Sequence, residues 1–325
     1  MGYKENGVWH SFFGGSEIDY RLMNAQAQLL DNAYFMGGGS QQGGEQFPIN
    51  QNGLTTYTKT SGAICIDRWK QYKGTIALSN EGLSLSSTST GVAARQTLKK
   101  SVISNYKTTV PSLPRLLYLT AYGYASKENS WYVALDNNGT LSNKVYFPKD
   151  IPLANNPKYR YPNGSVVISN NNASVVIGTD DASATATLNG ILFQPNCAPV
   201  PGYYDQATVG YTWVRMPMPD YHTELEKCQR YYLPITAGTI TKGLSIGNTL
   251  YFDIETPITM VGTPKLTADL SIVALDGSAH SLTVTAGTTG SVHPAAVQLT
   301  VSAPTLTALA SVSAQVQNST FLSAE

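Results

Sequence analysis

Short runs of alternating apolar and polar residues, each broken within a few positions by Asn, Asp or Gly, recur along most of this chain. In WYVALDNNGTLSNKVYFP, residues 131–148, one alternating run meets Asn137-Asn138-Gly139 and a second run closes at Pro148. That is the pattern of a hairpin, because favoured two-residue turns need positive φ, which Asn and Gly accept at least cost. The same reading places turns at Asn170–Asn172 in SVVISNNNASVVIG, at Asn189-Gly190 in ATATLNGILF, and at Asp276-Gly277 in LSIVALDGSAHSLTV. Strands this short and this closely spaced belong to sandwiches and jelly rolls. Composition agrees: only 13% of residues are charged, while 20 are tyrosine, 28 glycine and 17 proline. The chain is expected to be all-β.

One segment departs from this rhythm. PDYHTELEKCQRYY, residues 219–232, sets Tyr221, Leu225, Cys228 and Tyr232 on one helical stripe, with Thr223 and Glu226 at capping-box spacing and Pro234 beyond. Leu225 and Cys228 are expected to be buried, with Glu224, Lys227 and Arg230 in solvent. YRLMNAQAQLL, residues 20–30, holds a shorter helical pattern. The expected order is an N-terminal segment 1–28, a jelly-roll or β-sandwich domain 29–218, a connecting helix 219–232, and a smaller β-sandwich domain 233–325. Trp9, Phe12, Phe13, Ile18, Tyr20 and Leu22 crowd the first segment without a hairpin pattern, so a partner is expected to cover it.

Several classes of function fall away. Lys+Arg and Asp+Glu are both 21, so no net field draws the chain to nucleic acid, and no apolar stretch is long enough for a membrane span. The glycines at 37–39 and 43–44 match neither a P-loop nor a dinucleotide fingerprint; Glu45 stands where a phosphate-binding lysine is needed. They read as a surface loop, either near a binding face or making no contact. Cys65, Cys197 and Cys228 are far apart and lack metal-ligand spacing, so neither a metal nor another cofactor is expected. The N-terminus has no basic-then-apolar leader, which points to synthesis in a cytoplasm without a signal peptide. The sequons at Asn138, Asn163, Asn172 and Asn318 carry no weight without secretion.

Four pieces in one order carry a resemblance. LLDNAYF (29–35), FPINQNG (47–53), ICIDRW (64–69) and ELEKCQRYY (224–232), followed by FDIETPITMVGTPKLT (252–267), resemble tail-fibre and receptor-binding proteins of phages and prophages. The resemblance implies an N-terminal jelly roll similar to carbohydrate-binding modules, a DRW strand, a short helix and a further β domain. It also implies a homotrimer exposed on a virion, joined to other virion proteins through its N-terminus and recognising a bacterial surface polysaccharide. A head fibre or baseplate decoration would have the same fold. Asn52 stands where the family often has arginine, and MPMPDY replaces a more acidic lead into the helix; both departures leave the ligand open.

Sugar binding stacks a pyranose on an aromatic face and adds planar polar groups for the hydroxyls. YASKENSWY, residues 124–132, offers Tyr124, Trp131 and Tyr132 as rings and Lys127, Glu128 and Asn129 as polar partners. Tyr122 extends the face, and Tyr203 and Tyr204 form another exposed tip. Core packing is the alternative for Trp131 and Tyr132, and the preferred reading for Trp69. Catalysis is not expected. No G-x-S-x-G elbow occurs, and a glycosidase needs two carboxylates across a cleft, whereas Asp136, Asp150, Asp180 and Asp181 sit at turns.

Overall fold

A computed structural model describes residues 2–5, 8–11, 28–36, 47–149, 162–195, 202–205, 210–213, 219–246, 249–274, 281–288, 290–293, 296–302 and 311–324. The chain forms two compact units that divide between Tyr221 and His222. Both are built from antiparallel sheets, and the described residues include two short helices. Neither is long and apolar enough to cross a membrane.

In the first unit two sheets face each other. One runs, edge to edge, Asn163–Val166, Leu117–Ala125, Thr185–Pro195, Gly82–Ser86, Thr75–Ser79, Thr56–Tyr57. The other runs Thr140–Leu141, Trp131–Asn137, Ala173–Thr179, Gly91–Thr97, Lys70–Gln71, Ala63–Ile64, with Val145–Tyr146 also paired to Trp131–Asn137. Alternation sends Leu117, Leu119, Ile191 and Phe193 inward from the first sheet to meet Trp131, Val133, Leu135 and Ile177 from the second. Each large side chain fully buried there contributes roughly 1.5–3 kcal/mol of transfer free energy. This is the expected sandwich.

The hairpin at 131–141 forms with Asn137 opposite Thr140, and Asn138 and Gly139 take φ of 56 and 94°. Positive φ at both centres is what a type I′ turn requires. Two other turns are corrected. Asn189-Gly190 lies inside the unbroken strand Thr185–Pro195, where the register shifts between Leu188 and Gly190 as a β-bulge. Residues 165–178 do not fold on themselves: Asn163–Val166 pairs with Leu117–Ala125, and Ala173–Thr179 lies in the opposite sheet. Leu270–Ala274 and Ser281–Val284 do pair as a hairpin, with the Asp276-Gly277 turn outside the described residues.

The motif segments also settle locally. ICIDRW is a tight turn rather than a strand, with Cys65 N–H bonded to Trp69 O at 3.0 Å and Arg68 at a φ of 71°. Trp69 is buried, and its indole N–H donates to Asn32 O. Asn52 closes the preceding loop: its amide donates to Cys65 O and its oxygen accepts from Tyr57. Residues 28–35 run beside Thr185–Pro195 through Gln28, Leu29 and Phe35, with no helix there; the rest of the expected 20–30 helix, and residues 37–46 of the glycine stretch, lie outside the described residues. Gly2–Glu5 and Val8–Ser11 pair as a hairpin that the sequence pattern did not announce. The helix Lys100–Tyr106 was likewise not expected.

The other helix is Tyr221–Gln229. Cys228 is buried as expected, but so is Glu224, which is paired with Lys227, while Leu225 is half-buried. The helix ends five residues before Pro234, which sits in the strand Tyr232–Ile235 at the edge of a three-stranded sheet, where no ladder donor is missed. That sheet continues through Thr320–Ser323 and Lys265–Leu266. The second unit's larger sheet runs Ser281–Val284, Leu270–Ala274, Ser311–Val316, Ile240–Ile246, Thr249–Glu255, Ala296–Ser302, Gly290–His293. Leu233, Phe252, Ile254, Leu270, Leu299 and Leu322 form its core. Cys65 and Cys228 are both buried.

Candidate functional site

Strands Leu117–Ala125 and Trp131–Asn137 belong to opposite sheets, so residues 126–130 cross one end of the sandwich. This crossing divides the expected ring platform. Tyr122 lies on the outer face of the six-stranded sheet, buried against Leu192 and Tyr34. Half-buried Tyr124 shares that face and donates to Glu81 at 3.3 Å. Trp131 points the other way, into the core; it is 0% exposed and its Nε1–H donates to Ala184 O at 2.9 Å. It has no free face for a sugar. Tyr132, one residue on, reaches the outer face of the seven-stranded sheet, also almost wholly covered. The expectation of a common platform from Tyr122, Tyr124, Trp131 and Tyr132 is therefore corrected: two-residue alternation and the sheet crossing send these rings to three different places. Tyr203 and Tyr204 lie on a backbone hairpin opposite Thr212 and Tyr211, and their side chains lie outside the description.

The polar half of the expected loop is where the sequence placed it. Lys127, Glu128 and Asn129 are exposed at the tip, with Asn129 at a φ of 51° and Ser130 Oγ bonded back to Lys127 O. This tip is tied to residues 179–185 by Asp180 N–H to Ser130 O at 2.7 Å and Ser126 N–H to Thr185 O at 2.9 Å. The two loops form one surface.

Asp180 and Asp181 organise that surface by pointing apart. Asp180 accepts two hydrogen bonds from Lys144 Nζ, at 2.8 and 2.7 Å, and one from Tyr146 OH at 2.7 Å. Asp181 accepts from Lys127 at 3.0 Å and from the hydroxyl and N–H of Ser183. Burial alone would raise the Asp180 carboxyl, but its bonds to Lys144 and Tyr146 outweigh that and hold it below the usual range. Hydrogen bonds from Ser183, then Lys127, hold Asp181 down at about 2. The bond to Asp180 pushes the Tyr146 phenol up to about 12.

The neighbouring sheet face continues the pattern. Lys144 Nζ lies 4.4 Å from the Tyr132 ring centroid, and Tyr146 meets that ring edge-on at 5.8 Å. Tyr132 is packed across Gly178, where a Cβ would come within 2.5 Å of its hydroxyl. Farther along, Arg95 pairs with Asp136 at 2.6 Å and covers Tyr72 at 5.4 Å. The result is a partly exposed strip of fixed donors and acceptors beside the half-buried rings of Tyr146 and Tyr72. Such a strip suits hydroxyl-rich ligands, whose hydroxyls need oriented partners of both kinds. Among the described residues no group of three His, Cys, Asp or Glu side chains is placed to hold a metal.

Lys144, Tyr146, Asp180, Asp181 and Ser183 were missed as site residues. Lys144 immediately precedes the short strand Val145–Tyr146, two residues from Tyr146, a spacing visible in the sequence; their approach to Asp180 depends on a long-range strand pairing that is not.

No family model and no curated protein matches the chain. Among solved structures it is similar to the N-terminal CBM22-1-CBM22-2 tandem domain of Paenibacillus barcinonensis Xyn10C, at 9% identity over 91% of this chain and 95% of that one. The TM-score is 0.26, and a likeness at that level carries no argument about ligand or arrangement.

Proposed function

We propose that this chain is a non-enzymatic phage virion adhesin that recognises a bacterial surface glycan with the Asp180–Asp181 end of its N-terminal sandwich. The observation that carries the reading is the pair of lysine–aspartate contacts set beside Tyr146 on an exposed edge. Both carboxylates are held below the usual range, so neither stores a proton to donate near neutral pH, and both suit hydrogen-bond acceptance. The order of the LLDNAYF, FPINQNG, ICIDRW and ELEKCQRYY segments supports the virion setting and, with it, a homotrimer joined to the particle through its N-terminus.

Hydroxyls exchange water for protein at little net gain, so each site should bind in about the micromolar to millimolar range, with several copies supplying avidity. The test is binding of the full chain to host cells and to their purified surface polysaccharide. Tyr146→Ala and Asp180→Ala should each weaken binding by roughly tenfold or more while the melting temperature stays close to native. A native chain that binds no polysaccharide would overturn the function. Native binding by both variants would overturn the site.

A further inference from the structure

The second unit has a feature that glycan recognition leaves unused. Strand Ile240–Ile246 is the middle strand of the seven, with three on either side, so its backbone is paired and what it presents outward is a face of side chains. Ile240, Leu244 and Ile246 on that face are 64, 43 and 50% exposed. Cross-strand neighbours enlarge the patch: Leu244 stands opposite Tyr251, and Ile240 opposite Gln315, which in turn faces Val273. Half-exposed branched side chains gathered at the centre of a sheet, rather than scattered singly, mark a contact surface.

We infer that this face is where copies of the chain pack against one another. Their number, three, rests on the homotrimer of the proposed function; the surface itself rests on the side chains. Their charges fit a second copy. Lys242 projects from the middle of the apolar strip and makes no ion pair among the described residues. Opposite it on the next strand is exposed Asp253, which accepts a bond from Gln298 at 3.1 Å, with Glu255 farther along. Packed around an axis, the Lys242 side of one copy meets the Asp253 side of the next, so the patch complements itself. A strongly acidic or strongly basic partner would leave one of these signs opposed.

The experiment measures the mass of the full chain by light scattering across a dilution series, with circular dichroism to confirm folding. The native chain should be trimeric. Leu244→Asp should shift it to monomer with its β spectrum intact, because the side chain it replaces is exposed in the single chain. Lys242→Asp and Asp253→Lys should each weaken association by roughly tenfold, and the two together should restore it. A native trimer whose mass ignores all these substitutions would overturn the surface while leaving the homotrimer standing. A native monomer at every concentration would overturn both, and neither outcome bears on glycan binding, which is measured separately.

Discussion

Asp67 shows how a single buried carboxyl ties pH to stability in this protein. Its oxygens accept the backbone N–H of Gln51 at 3.1 Å and the Gln51 side-chain amide at 2.5 Å, which pins the loop after Ile49. Burial outweighs these bonds and pushes the carboxyl up to about 7, with Tyr57 and Cys65 as its titratable neighbours. An acid whose folded pKa is raised stabilises most below its unfolded value, and the contribution is lost as pH rises through the folded value. Stability should therefore fall between about pH 4 and pH 7 by up to a few kcal/mol, and Asp67→Asn should flatten that fall; denaturant midpoints across this range decide it. Asp181 works in the opposite sense, its contribution present at neutral pH and lost as pH drops towards about 2. Trp131 belongs to the same scale. With no exposed surface and a bonded indole N–H, Trp131→Ala should cost about 3–5 kcal/mol in equilibrium unfolding, a structural loss that any change in binding would only follow.

At the scale of elements, local chemistry was readable and long-range pairing was not. The hairpin at Asn138-Gly139 follows from two residues that tolerate positive φ between alternating runs. The same dipeptide at Asn189-Gly190 became a bulge because the strand has partners along its length: Gly190 faces Tyr122 on one side and bridges Tyr34 on the other. Neither partner is near in sequence. Close approach is enforced beside it, since a Cβ at Gly123 would lie 2.4 Å from Thr187 O. Gly123→Ala should force these two strands apart, lowering stability by about 1–3 kcal/mol in thermal unfolding. Helix Lys100–Tyr106 left no trace to read: no side chain caps its start, and Val102 and Ile103 suit a strand as well as a helix. The turn at Asp67-Arg68 was hidden because Arg68 takes a positive φ that its residue type does not signal. Glu224 defeated the helical-stripe reading in another way, through a lysine one turn on that lets a carboxylate be buried.

For the whole molecule, the all-β class and the polar tip at Lys127–Asn129 were legible, while the site became visible only once two sheets had been assigned. Adjacent Asp180 and Asp181 look like a poor pair along an extended chain; in the fold their divergence lets each hold a different lysine. The segment before Gln28 has another role under the proposed function. Gln28 itself bonds to Ile191 and Phe193, so a deletion of residues 1–27 should spare the sandwich and abolish incorporation into particles, as read by immunoblotting of purified virions. The central claim is that the Asp180–Asp181 end, and not the Tyr122–Tyr124 face, meets the glycan. The most direct measurement is a titration of host surface polysaccharide against the native full chain, Tyr146→Ala and Tyr124→Ala, with folding confirmed for each. The account predicts saturable binding by the native chain and by Tyr124→Ala, and a loss of roughly tenfold or more for Tyr146→Ala. Equal binding by all three, or a loss confined to Tyr124→Ala, would contradict it.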